Sequence, residues 1–152
     1  MPPKHPGAAF LVAQVGAHAA RRFAERLAAL SLQPQHAGAL RILGFEQGLT
    51  QRELAQRLGM FPSRAVALVD ELEQRKLISR GEDPEDRRSY SLRLTDKGWR
   101  ALGEVGKVAR EHQDSLLAAL ADNEREQLAK LLLRIADEQG LTPGVHPGFR
   151  TL

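Results

Sequence analysis

The 152-residue chain has no cysteine. Structural disulfides, thiolate nucleophiles, cysteine zinc sites and thiol-based redox sensing are excluded together, and the composition fits a reducing cytosol. Long apolar runs are missing too. The N-terminal segment MPPKHPGAAFLVAQVGAHAARR carries an apolar patch soon interrupted by His18, Arg21 and Arg22. It is too short for a signal peptide or a membrane span, which predicts a cytoplasmic protein. Catalytic signatures are equally scarce: there is no glycine-rich phosphate loop, nucleophile elbow or paired-carboxylate motif, and His5, His18, His36, His112 and His146 lack zinc-enzyme spacing. No enzyme, metal site or cofactor is expected. Without repeats or low-complexity linkers, residues 1–152 read as one domain.

Hydrophobic content of 42% with 27% charged residues predicts a folded core rather than disorder. The net charge is only +3, so its distribution matters more than its size. Residues 1–49 carry five basic and two acidic side chains, residues 50–100 eleven and nine, and residues 101–152 six and eight. A polyanion would meet the first two thirds of the chain, through particular arginines.

Apolar residues Val12, Val15, Ala19, Phe23, Leu27 and Leu30 recur at three- and four-residue steps, which predicts a long first helix ended by SLQP. A second helix follows Pro34, with His36, Leu40 and Leu43 on one face. In TQRELAQRLG, Thr50 and Glu53 have the spacing of a capping box and Gly59 suits a left-handed end, so this helix is short. Pro62 opens the next, PSRAVALVDELEQRK, with an apolar stripe Ala65, Val66, Val69 and Leu72. The period then shifts to two: LISRGE and SYSLRLT read as strands, the second with Tyr90, Leu92 and Leu94 on one face. Thr95 caps a long fifth helix and Asp122 a sixth that ends near Gly140. Trp99 and Phe45 fall at core spacing.

Two helices joined by a short turn, then a hairpin, set between long terminal helices, make a winged helix-turn-helix. The fold class is α+β, mainly α. The DNA-binding lobe spans 34–98, with dimerisation helices and tail at 8–33 and 99–152. The helix after the turn presents its first residues to base edges in the major groove, and the hairpin tip DPEDRR can insert an arginine into the minor groove. Asp86, within reach of Arg88, would hold the wing guanidinium extended.

From Leu49 to Gly98 the chain resembles the DNA-binding lobe of the MarR family (multiple antibiotic resistance regulators), most specifically in DPEDRRSYSLRLTDKG. The resemblance implies a homodimeric winged-helix repressor with interleaved terminal helices, released from double-stranded DNA by a small aromatic or phenolic effector. It differs from the family pattern along the recognition helix, where Phe61, Ala65, Val66, Ala67 and Glu71 replace hydroxyl and basic residues. Ser63 and Arg64 remain as polar readers, and binding shifts toward Gln51 and the wing residues Arg87 and Arg88. Arg64 is expected on a guanine and Arg87 on phosphate. A cation and a histidine one helical turn apart beside an apolar seam suit a ring carboxylate, so His18 and Arg22, with His36 and Phe61, are the candidate effector residues. The competing class is a winged-helix module that binds another protein instead of DNA.

Overall fold

The fold is that of a computed structural model, which describes residues 1, 4–82, 85, 88 and 90–146. Its elements run α1 (Ala8–Ala28), α2 (Pro34–Phe45), β1 (Leu49–Thr50), α3 (Gln51–Leu58), α4 (Pro62–Gln74), β2 (Ile78–Glu82), β3 (Tyr90–Leu94), α5 (Asp96–Leu116) and α6 (Asp122–Glu138). Among the described residues no helix is long and apolar enough to cross a membrane.

Local chemistry sets most of these boundaries. Thr50 Oγ1 accepts from the Glu53 amide at 3.2 Å while Glu53 Oε2 accepts from the Thr50 amide at 2.8 Å, closing a capping box at the start of α3. Gly59 ends that helix at φ 65°, where a side chain would be strained. Pro62 is the first residue of α4. Thr95 caps α5 by accepting from the Gly98 amide at 3.0 Å. At α6 the cap lies one residue earlier than expected: Ala121 is the N-cap, Asp122 is already helical, and Glu124 Oε1 takes the Ala121 amide at 3.0 Å.

The sheet has three antiparallel strands in the order β1-β3-β2, with Ile78 opposite Leu94 and Glu82 opposite Tyr90. The extra strand, β1, pairs Leu49 with Leu92 and Thr50 with Ser91. Two residues are too few to show a period of two, so this strand has no sequence signature. It makes β3 the central strand, and Ser91 is buried between its partners Thr50 and Gly81 although alternation put it on the open face. Tyr90, at the wing end, is exposed while Leu92 and Leu94 are buried.

The core gathers Leu40 and Leu43 of α2, Leu54 and Leu58 of α3, Val69 and Leu72 of α4, and Ile78 and Leu92 of the sheet. On α4, Ala65, Val69 and Leu72 face inward as their spacing predicts, but Leu68 is buried and Val66 exposed. Phe45 and Trp99 are not core residues: they are 83% and 47% exposed. Phe45 ends α2 where the chain turns away, and the Trp99 ring lies only along the edge of α2, near Gly44. Helical periodicity identifies a face but not how far along the helix a neighbour covers it. The same holds for α1, whose Phe10, Leu11, Val12 and Val15 are exposed while Leu27 is fully buried, and for α6, which has no buried residue.

Candidate nucleic-acid interface and helix cavity

The α4 helix presents Phe61, Ser63, Arg64, Val66 and Ala67 to solvent over its first turns. Phe61, 62% exposed, is its N-cap residue, and the Phe61 carbonyl accepts from the amides of Arg64 and Ala65. No acidic residue occupies the first turn, so the positive end of the helix dipole remains uncompensated. Next to this face the wing leaves the sheet. Arg88 and Glu85 are exposed there; Asp86 and Arg87 lie outside the described residues.

Arg80 of β2 ties this surface together. Its guanidinium pairs with Asp70 at 2.5 Å and Glu73 at 3.1 Å on α4, and donates to Gln51 Oε1 on α3 at 3.3 Å. Those partners hold Arg80 firmly in its charged form, the Asp70 hydrogen bond being the largest influence. Gln51 is thus fixed by its carbonyl oxygen, which leaves its amide NH₂ as a donor. A second clamp joins α3 to α2, where Arg57 meets Glu46 at 2.9 Å and that hydrogen bond lowers the Glu46 pKa.

The C-terminal end of α4 is gripped by α5. Thr95 Oγ1 donates to the Lys76 carbonyl at 2.6 Å, Lys97 Nζ to the Arg75 carbonyl at 3.0 Å, and the Thr95 amide to Leu77 O at 3.1 Å. The start of α5 is therefore tied to the end of the recognition helix by two side-chain donors and one backbone amide.

The four candidate effector residues do not converge. His18 and Arg22 line a cavity of about 440 Å³ between α1 and α5, together with Arg26, His112 and Ser115. His36 is instead buried in the DNA-binding lobe: its Nδ1 accepts from the Gln33 amide at 2.9 Å and its Nε2 lies 3.1 Å from Glu71 Oε2 on α4, off hydrogen-bond alignment. It joins the start of α2 to the recognition helix. Phe61 belongs to the exposed α4 surface and lines neither this cavity nor its neighbours.

With this geometry the chain can be set beside known proteins. Residues 30–89 match the model of the MarR family. The transcriptional repressor CouR, solved bound to a 23-mer DNA duplex, is 33% identical and superposes with a TM-score of 0.77 over 86% of this chain and 92% of that one. The chain belongs to the MarR family. A probable transcriptional regulator from Pseudomonas aeruginosa is 32% identical, with a TM-score of 0.73 over 85% of this chain and 96% of that one. A protein described as a transcriptional regulatory protein for the hcr operon of Thauera aromatica is 34% identical over 106 residues. That match spans 70% of this chain and 64% of the relative's own length.

Three residues of this MarR-family chain that matter to the site escape sequence reading. Arg80 looks like any outward strand residue; its partners Asp70 and Glu73 are brought to it only when α4 packs on the hairpin. Arg26 continues the i, i+4 row of His18 and Arg22, a signal that was available. His112 enters from α5, and only the packing of α1 on α5 brings it within 5.3 Å of the Phe23 ring.

Proposed function

We propose that the protein is a DNA-binding transcriptional repressor that acts in the cytoplasm as a homodimer on a pseudo-palindromic operator, and that a small anionic ligand controls its release. The observation that carries this reading is the exposed, acid-free N-terminal face of α4, held by the Arg80 clamp beside a wing, in a chain 33% identical to a repressor solved on DNA. Ser63 and Arg64 read base edges, Arg64 by a bidentate contact to guanine O6 and N7. Phe61, beside them and exposed, suits van der Waals contact with a thymine methyl better than the wall of an effector pocket. The Gln51 amide and Arg87 bind phosphate, and Arg88, steadied by Asp86, enters the minor groove. The exposed apolar residues of α1 and α6 pair the two subunits, setting recognition helices about 34 to 36 Å apart. The ligand, an aromatic or phenolic acid in its simplest form, enters the α1–α5 cavity at His18 and Arg22, and α5 passes its effect to α4 through Thr95 and Lys97.

The test is a mobility shift on the protein's own upstream region, with specific and nonspecific competitor. Arg64→Ala is expected to cost about 1–3 kcal/mol and to relax preference at one operator position, whereas Arg87→Ala weakens all sequences alike and flattens the salt dependence. Arg88→Ala should weaken operator binding with little change in melting temperature. Equal loss of specific and nonspecific affinity in Arg64→Ala would reassign it to the DNA backbone. Failure of the wild type to shift any upstream fragment would overturn the DNA-binding reading itself.

A further inference from the structure

The α1–α5 cavity holds more positive charge than a single carboxylate can use. Arg22 and Arg26 stand one helical turn apart along its wall, His18 and His112 add two imidazoles, and Gln14 and Ser115 supply neutral donors. No carboxylate lines it. Glu25, on the same helix, is already shared by Arg21 at 3.3 Å and Arg22 at 2.5 Å. Arg26 has no ion-pair partner among the described residues, and its Nε is buried without a hydrogen-bond acceptor. Arg26 thus brings an uncompensated charge to the cavity wall, where its terminal guanidinium N–H groups are the donors for an anionic oxygen.

We propose that this cavity is a site for the phosphoryl group of a phosphate ester, a dianion gripped by Arg22 and Arg26 with His112 and Ser115 completing the donors to its oxygens. The three guanidinium groups of Arg21, Arg22 and Arg26 face a single carboxylate, Glu25, an excess of two positive charges that matches a dianion, and a tetrahedral group offers enough acceptor oxygens to engage donors from both helices at once. A monocarboxylate carries half that charge, in a flat group with only two oxygens. Independent support comes from His112, whose pKa is lowered by burial and then by Arg26, Arg22 and His18. The cavity also shares His112 and Leu116 with an apolar groove of about 580 Å³ along α1, α5 and α6, so the organic part of the ester has adjoining apolar surface. The inference rests on the reading of this cavity as the effector site and specifies the chemical class of its ligand.

Phenyl phosphate and benzoate separate the classes, since they share a ring and differ in charge at pH 7.5, where a phosphate monoester is mostly dianionic. Both are titrated calorimetrically, at constant ionic strength and without DNA, into the full-length wild type and into Arg26→Gln, Arg22→Gln and Arg64→Ala. Melting curves and circular dichroism establish that each variant is folded. The expected result is one phenyl phosphate per chain, bound at least tenfold tighter than benzoate, with a tenfold or greater loss in either cavity variant and none in Arg64→Ala. Benzoate binding as tightly as phenyl phosphate would overturn the dianion class while leaving the effector cavity in place. Loss in Arg64→Ala rather than in Arg26→Gln would put the phosphate on the DNA-facing surface, overturning the site. If neither compound binds and Arg26→Gln weakens subunit association, the cations serve the partner chain, and both the site and its effector role fall while operator binding, measured separately, is untouched.

Discussion

Gly98, at the junction of the recognition helix with α5, has the least room of the described glycines. A Cβ there would come within 2.0 Å of the Leu77 carbonyl oxygen, a backbone atom that cannot step aside without moving the α4 end or the start of α5. Gly98→Ala should therefore destabilise the fold by about 3 kcal/mol, the upper part of the range for overpacking, as read from urea unfolding. Gly44 is the control, because its added Cβ would meet the flexible end of Leu102 at 2.5 Å. That side chain can rotate, and Gly44→Ala is expected to cost clearly less. His112 makes the second prediction at this scale. Burial and the cations of α1 lower its pKa, so the native state binds the proton less tightly than the unfolded chain, whose imidazole titrates near 6.5. The stability linked to His112 is complete above pH 6.5 and is lost as the pH falls from there toward the lowered native pKa. Below that value both states are protonated and the slope vanishes. Urea unfolding at pH 7.5 and 5.5 should show a smaller pH difference in His112→Gln than in wild type.

At the scale of elements, Arg80 is the fastening of the DNA-binding surface. It spans β2, α4 and the first residue of α3, and its carboxylate partners are half exposed, so the net stabilisation is modest. Arg80→Ala should reduce stability by only about 1 kcal/mol. Operator affinity should fall further than that, because Asp70 and Glu73 would then stand uncompensated on the helix that approaches DNA, and Gln51 would lose its anchor. A mobility shift that tracks the stability loss and nothing more would reduce Arg80 to a surface pair. His36 acts at the same scale from the other side of α4, joining its Glu71 to the start of α2.

For the whole molecule, the distribution of exposed apolar side chains points to a partner. Phe10, Leu11, Val12 and Val15 on α1 and Leu131, Leu132, Leu133 and Ile135 on α6 are too many, and too clustered on two helices, for surfaces left in water. A second copy of the chain covers them in the proposed dimer. Sedimentation of the wild type at micromolar concentration should give a dimer, and Leu132→Glu with Ile135→Glu should shift it toward monomer while the winged-helix lobe, whose core lies elsewhere, keeps its structure. Operator affinity should then drop steeply, since each subunit would bind a half-site alone. A dimer that survives both charges would move the interface off α6.

Sequence by itself determined the parts of this protein governed by contacts within a few residues. The Thr50–Glu53 box, the left-handed Gly59, Pro62 opening α4 and Thr95 capping α5 are all short-range devices, and each is legible because its partner lies three residues away or is the backbone itself. The order of elements, and with it the winged helix, follows from those boundaries, while the family shows in the resemblance of the Leu49–Gly98 segment. Tertiary structure decided the rest. It alone added β1, too short for a periodic signal, and left Trp99 and Phe45 exposed at the edges of their helices. His36 faces inward with Leu40 and Leu43 as its spacing along α2 predicts, but the packing of α4 gave it Glu71 as a neighbour instead of His18 and Arg22. The same packing brought Arg80 to Asp70 and Glu73, and His112 to Arg26, pairs separated by 10, 7 and 86 residues, distances at which side-chain pattern carries no information and only the path of the backbone does.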